Sequence, residues 1–98
     1  MTLNQVKDGN TLVIIPEGRL DSTTSDEFAN FINCSFTDEI ENLNLDFSGV
    51  DFISSKGLRV LVSLYKNLNG RTLTITGANS SVSEVFRVSG LSPIFNLS

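Results

Sequence analysis

The sequence predicts an α/β fold, in which a β-hairpin is followed by strands that alternate with helices. Three observations carry that prediction. Two short β-branched-rich runs, residues 3–7 and 11–17, flank Asp8-Gly9-Asn10, which reads as strand, tight turn, strand. Three later segments place apolar residues at helical spacing, each behind a cluster of hydroxyl residues. Short alternating apolar runs lie between and after those helices. The order β-β-α-β-α-β-α-β implies right-handed crossovers and a largely parallel sheet with one shared core.

After the hairpin, Gly18-Arg19-Leu20-Asp21 leads into Ser22-Thr23-Thr24. Thr24 and Glu27 have the spacing of a capping box, and the helix they open is expected to run to Cys34 with Phe28, Phe31 and Ile32 inward. Residues 43–47 alternate Leu43, Leu45 and Phe47 with Asn44 and Asp46, the pattern of a buried strand. Ser48-Gly49-Val50-Asp51 reads as loop and Phe52-Ile53 as a short apolar step. Ser54 or Ser55 then caps a second helix, to Leu68, whose buried side is read as Leu58, Leu61, Val62, Tyr65 and Leu68. Asn69-Gly70 stops it, with Gly at the position that tolerates a left-handed backbone. Leu73 and Ile75 with their Thr neighbours form a strand. Ser81 and Glu84 make another capping box, for a third helix with Val82, Val85 and Phe86 inward. Gly90-Leu91-Ser92-Pro93 ends that helix, and residues 94–97 are a last strand.

Length and composition exclude most functional classes. The 98 residues suit one domain, 1–98, and 40% apolar against 18% charged residues describe a globular chain. The formal net charge is −4, yet residues 1–55 carry 10 acidic and 2 basic side chains while residues 56–98 carry 1 and 5. Neither half has a run of like charge, so this is not a charged tail. An acidic total argues against direct nucleic-acid binding. There is no His and a single Cys34, which removes His-based catalysis, an internal disulfide and the usual zinc ligand sets; Cys34 itself reads as a small apolar residue. No segment has the length of a membrane span or the pattern of a signal peptide, so a cytoplasmic chain is expected and its Asn-x-Ser/Thr matches are taken as chance.

No set of residues makes a credible active site, and no cofactor, metal or enzymatic activity is expected. Ser63 and Lys66 match a Ser-x-x-Lys pattern, but its companion motifs Ser-Asp-Asn and Lys-Thr-Gly are missing, so they read as solvated neighbours on a helix. Asp46 and Asp51 read as a solvated strand position and a turn residue. The informative stretch is Phe52-Ile53-Ser54-Ser55-Lys56-Gly57-Leu58. A hydroxyl pair at a helix start ordinarily caps free N–H groups. The same place also suits a phosphate, because backbone donors and the helix dipole favour an anion there. Phosphorylated Ser55 would bring about −1.5 to −2 charges, with Lys56 beside it as a partial counter-ion. Lys56, Arg59, Ser63 and Lys66 follow i, i+3, i+7, i+10 and form a basic stripe suited to an acidic partner surface.

The segment Leu45-Asp-Phe-Ser-Gly-Val-Asp-Phe-Ile-Ser-Ser-Lys-Gly-Leu-Arg-Val-Leu-Val62 resembles the signature of the STAS domain, the family of bacterial anti-sigma factor antagonists and of domains in sulphate transporters. Gly18-Arg19-Leu20-Asp21 resembles the family's turn after its second strand, and Val85-Phe86-Arg87-Val88-Ser89-Gly90-Leu91 its third helix and turn. The resemblance implies a mixed sheet with helices on one side. It also implies phosphorylation of the serine two residues before the helix glycine, here Ser55 before Gly57. Asp21, Ser54, Ser55, Lys56 and Arg59 become the partner-binding candidates. The implied partners are an anti-sigma factor that is also a serine kinase, which would hold the ATP and magnesium, and a serine phosphatase that reverses the mark. The other reading is an unphosphorylated adaptor or a transporter-associated STAS subunit. Two positions depart from the family: Ser54 stands where Asp is frequent, and Lys56 where a small hydroxyl residue is frequent. Many relatives also continue into a C-terminal helix beyond residues 94–97, so Leu and Phe side chains that such a helix would cover are expected to be exposed and to favour a homodimer or another partner.

Overall fold

The computed structural model describes residues 1–90 and the backbone of 96–97. Strands β1 (Thr2–Asp8) and β2 (Thr11–Leu20) form the expected hairpin. Its two-residue turn has Gly9 at φ 61° and Asn10 at negative φ, the arrangement of a type II′ turn. Helix α1 (Ser25–Ser35) follows, then β3 (Asn42–Asp46), β4 (Gly49–Ile53), α2 (Ser55–Asn67), β5 (Thr72–Thr76), α3 (Ser80–Val88) and β6 (Asn96–Leu97). The sheet order is β1-β2-β3-β5-β6, with β4 also on β2, and every pairing except β1–β2 is parallel. The helices cover one face. The expected last strand is described only at Asn96–Leu97; the other residues of 91–98 lie outside the described residues.

The expected loop at 48–51 is instead part of a strand. β3 and β4 pair with β2 one after the other, Ile14 with Leu45 and then Glu17 with Gly49, so the pairing has slipped by one residue. It slips again between Gly18 and Arg19, where Val50 and Phe52 face successive residues of β2 and Asp51 is passed over. Asp51 is thus the extra residue of a bulge. The bulge also explains why the sequence hid this strand: its buried residues, Val50 and Ile53, are three apart instead of two.

The core gathers around Phe47, whose ring lies 6.3 Å from Phe28 of α1, edge on, and 6.4 Å from Phe86 of α3. Inward residues of the strands, Leu12, Ile14, Leu43, Leu45, Leu73 and Ile75, complete it. The buried stripe of α2 is Gly57, Leu61, Leu64 and Leu68, a register shifted from the expected one; Leu58 and Val62 are half-buried and Tyr65 is 42% exposed. Cys34 is exposed rather than packed.

Both expected capping boxes give way to other caps. The Thr24 hydroxyl does not cap α1; it donates to the Arg19 carbonyl at 2.6 Å and accepts from the Asp21 N–H at 3.0 Å. At α3 the cap is Asn79, whose Oδ1 accepts from the Val82 N–H at 2.8 Å while its Nδ2 donates to the Val50 carbonyl at 3.2 Å. Glu84 pairs with Arg87 instead of turning back to the helix start. Past α2, Asn69 and Gly70 are both left-handed, at φ 53° and 89°, which stops the helix as expected. An Asn79→Ala chain should lose about 1–2 kcal/mol in urea unfolding, whereas Ser81→Ala should stay within about 0.5 kcal/mol of the parent.

Candidate functional site

The candidate residues meet at the end of the sheet where β2 and β4 finish together. Leu20 pairs with Ile53 in the last rung of their ladder, so Asp21 and Ser54 leave the sheet side by side. The Ser54 N–H donates to the Leu20 carbonyl at 2.9 Å. Ser54 is extended, at φ −96° and ψ 174°, and its hydroxyl accepts from the Gly57 N–H at 3.2 Å, which makes it the N-cap of α2. Ser55 is then the first helical residue. It is exposed, and no hydrogen bond among the described residues holds its hydroxyl.

Gly57 sets how closely α2 approaches the strands. A Cβ there would stand 2.9 Å from the Leu20 carbonyl oxygen and 2.9 Å from Cγ1 of Ile53. Only a residue without a side chain fits that contact, since the carbonyl belongs to a fixed strand.

Asp21 organises the neighbouring turn. Its Oδ1 accepts from the Thr23 hydroxyl at 2.7 Å, the Thr23 N–H at 2.9 Å and the Thr24 N–H at 3.2 Å. These bonds, led by the Thr23 hydroxyl, hold its carboxyl below the usual aspartate range. Arg19 Nε stands 3.8 Å from Asp21 Oδ2, and the Arg19 guanidinium lies 4.5 Å over the ring of Phe52. Arg19 and Phe52 were not among the expected site residues. Only the bulged register that pairs them puts them together, and 39% of Phe52 is exposed as a result.

Lys56 behaves differently from the expected head of a basic stripe. Its Nζ lies 3.1 Å from Asp26 Oδ2 and donates to the Ser22 carbonyl at 3.4 Å, so it ties α2 to the start of α1. Arg59, one turn on, is exposed. The structure thus brings Asp21, Ser54, Ser55 and Lys56 to one end of the sheet, with Arg59 beside them on α2. Ser63 and Lys66 lie exposed with no hydrogen bond between them among the described residues, Asp46 accepts from the Ser48 N–H at 3.0 Å, and Asp51 is the bulge residue. Among the described residues no group of three or more His, Cys, Asp or Glu side chains is placed to hold a metal ion, and no helix is long and apolar enough to cross a membrane.

Comparison with known proteins places the fold. A model of the STAS domain family matches residues 2–98, and the chain belongs to that family. Its fold is similar to that of an anti-sigma factor antagonist from Mycobacterium paratuberculosis, at 23% identity and a TM-score of 0.89, over 98% of this chain and 83% of that one. It is similar to the Bacillus cell fate determinant SpoIIAA in its phosphorylated form, at 22% identity and a TM-score of 0.73, over 99% and 91% of the two chains. The STAS domain of a SulP transporter from Vibrio cholerae is also similar, at 22% identity and a TM-score of 0.71, over 94% and 75%.

Two outcomes follow from the site. Gly57→Ala should destabilise the chain by about 1–3 kcal/mol in urea unfolding, even though Ala is the better helix former by about 1 kcal/mol. Folding lowers the Asp21 pKa, so its hydrogen bonds stabilise the fold fully above the ordinary aspartate pKa. That contribution is lost as the pH falls through the lowered value. The stability gap between the parent and Asp21→Ala should therefore be widest near neutral pH and close in acid.

Proposed function

We propose that the chain is an anti-sigma factor antagonist that binds an anti-sigma factor with serine kinase activity and is switched by phosphorylation of Ser55. The observation that carries this reading is the division of labour at the head of α2. Ser54 caps the helix, and the Ser55 hydroxyl stands exposed in the first turn. A phosphate there adds about −1.5 to −2 charges without removing a cap. The helix dipole favours it by about 0.3–1 kcal/mol. What changes is the surface: Asp21, Ser54, Ser55, Lys56 and Arg59 form the docking face, and a dianion in its middle breaks a fit made for a neutral hydroxyl. Lys56 is already engaged by Asp26, so it offsets little of the new charge. The fold shared with the Mycobacterium antagonist and with SpoIIAA supports the same reading. ATP and its magnesium belong to the kinase and a serine phosphatase restores the hydroxyl, so this chain is substrate and ligand, not catalyst. Such a switch works in the cytoplasm.

The fold shared with the Vibrio cholerae transporter domain supports a second reading, an unphosphorylated adaptor that uses the same face. The two separate in one set of experiments. A histidine-kinase-like ATPase that co-purifies from the native cell, incubated with the chain and ATP, should add one phosphoryl group, and Ser55→Ala should abolish the mass increase. Ser55→Asp should weaken that complex by about tenfold or more, about 1.4 kcal/mol. Modification that persists in Ser55→Ala sinks the switch, and unchanged affinity in Ser55→Asp favours the adaptor.

A further inference from the structure

The seven Lys and Arg side chains of this chain are not equally committed. Lys7 stands 4.0 Å from Glu39, Arg19 lies against Asp21 and Phe52, Lys56 pairs with Asp26, and Arg87 pairs with Glu84. Arg71 donates to the Leu68 carbonyl and lies 5.3 Å from the Phe36 ring centroid. Arg59 and Lys66 remain, with no acidic, carbonyl or aromatic partner among the described residues. They are on one face of α2, two turns apart, which is about 10 Å along the axis.

That face is not simply a solvated helix side. α2 packs on α1 while α3 packs on β4, and between α2 and the end of α3 lies a shallow depression. It is lined by Leu58, Arg59, Val62, Ser63, Lys66 and Ser89. The half-buried Leu58 and Val62 give it an apolar strip, and the exposed Arg59 and Lys66 line it with them. In a chain whose net charge is −4, a local surface of two cations that no acidic group neutralises among the described residues, set around apolar residues, is a marked departure.

We infer that this depression is a docking groove for an acidic amphipathic helix of a protein partner, with carboxylates two turns apart that meet Arg59 and Lys66 and an apolar residue between them that covers Leu58 and Val62. The charge pattern selects this occupant over the other anionic ones. Two cations rooted about 10 Å apart along the helix match two carboxylates two turns apart on a partner helix better than one phosphate. An anionic bilayer or a nucleic acid would be repelled by the acidic remainder of the chain and offers no apolar side chain of matching size. The groove adjoins the docking face at Arg59, one turn from Ser55, while its far end at Lys66 lies about 16 Å along the helix from Ser55. Its test uses the unphosphorylated chain, so a failure of the Ser55 switch is distinguishable from a failure of the groove.

The test uses the full chain, isotope-labelled and unphosphorylated, with a synthetic helical peptide of about 14 residues that carries Glu at i and i+7 and Leu at i+3 and i+4. A second peptide replaces both Glu residues by Lys. The Glu peptide should shift the amide resonances of Leu58, Val62, Lys66 and Ser89, with binding that weakens as salt is raised. The Arg59→Glu, Lys66→Glu double variant should lose about tenfold or more in affinity for it and gain affinity for the Lys peptide. Reciprocal recovery supports the groove, because misfolding cannot create it. No binding of the Glu peptide, equal binding of the two peptides, or shifts confined to the Ser55 end would overturn the proposal. So would a stronger response of Arg59 and Lys66 to phosphatidylglycerol vesicles than to the Glu peptide.

Discussion

The carbonyl of Leu20 is the point on which the presented end of this molecule depends. It ends β2, accepts the Ser54 N–H, and lies where any side chain on Gly57 would have to go. A strand end, a helix cap and a close helix approach are thereby fixed by one oxygen atom. Because the strand cannot move without breaking its ladders to β1 and β4, the helix must yield to the strand and not the reverse. The position of Ser55 in space is therefore set by backbone geometry, and its side chain is left with no structural duty.

That arrangement also gives the uneven charge of the sequence a spatial meaning. The acidic first half and the basic second half do not become two poles, because the mixed sheet interleaves them. Lys56, from the basic half, is matched with Asp26 from the acidic half across the α1–α2 contact. What survives of the asymmetry is local, in Arg59 and Lys66, which have no acidic, carbonyl or aromatic partner among the described residues. The single stripe of Lys56, Arg59, Ser63 and Lys66 seen on a helical projection is two features with different roles.

Much of the architecture was legible because periodicity and turn chemistry agree over long stretches. The hairpin, the three helices and the strands at 43–47 and 73–75 all follow from it. The failures have specific causes. β4 was hidden because Asp51 sits in a bulge and breaks the alternation of Val50 and Ile53. Helical spacing alone misplaces the face of α2, because its buried stripe begins at Gly57, a residue that carries no hydrophobic signal, and Tyr65 then takes the place of Leu64. The capping boxes at Thr24 and Ser81 have the right spacing, but the Thr24 hydroxyl is taken up by the Arg19 carbonyl and the Asp21 N–H, and Asn79, anchored to Val50, caps α3 first. Of the candidate site, Ser54, Ser55 and Gly57 stand out by local pattern, and Asp21 through the family resemblance. Arg19, Phe52 and Asp26 were not, because they arrive through long-range register.

The bulged β2–β4 ladder also bears on how the chain finds one structure among near neighbours. A regular strand with alternating side chains can slide by two residues and still present an apolar face, so such ladders invite misregistered states of similar energy. Here the two slips leave Val50 and Ile53 three residues apart, a spacing that buries both only when Asp51 is the residue left out. A slide in either direction would drive Asp51 or the exposed edge of Phe52 toward the core. The irregularity that hid the strand is thus what makes its pairing singular, and misfolded competitors are penalised by the same residue that breaks the pattern.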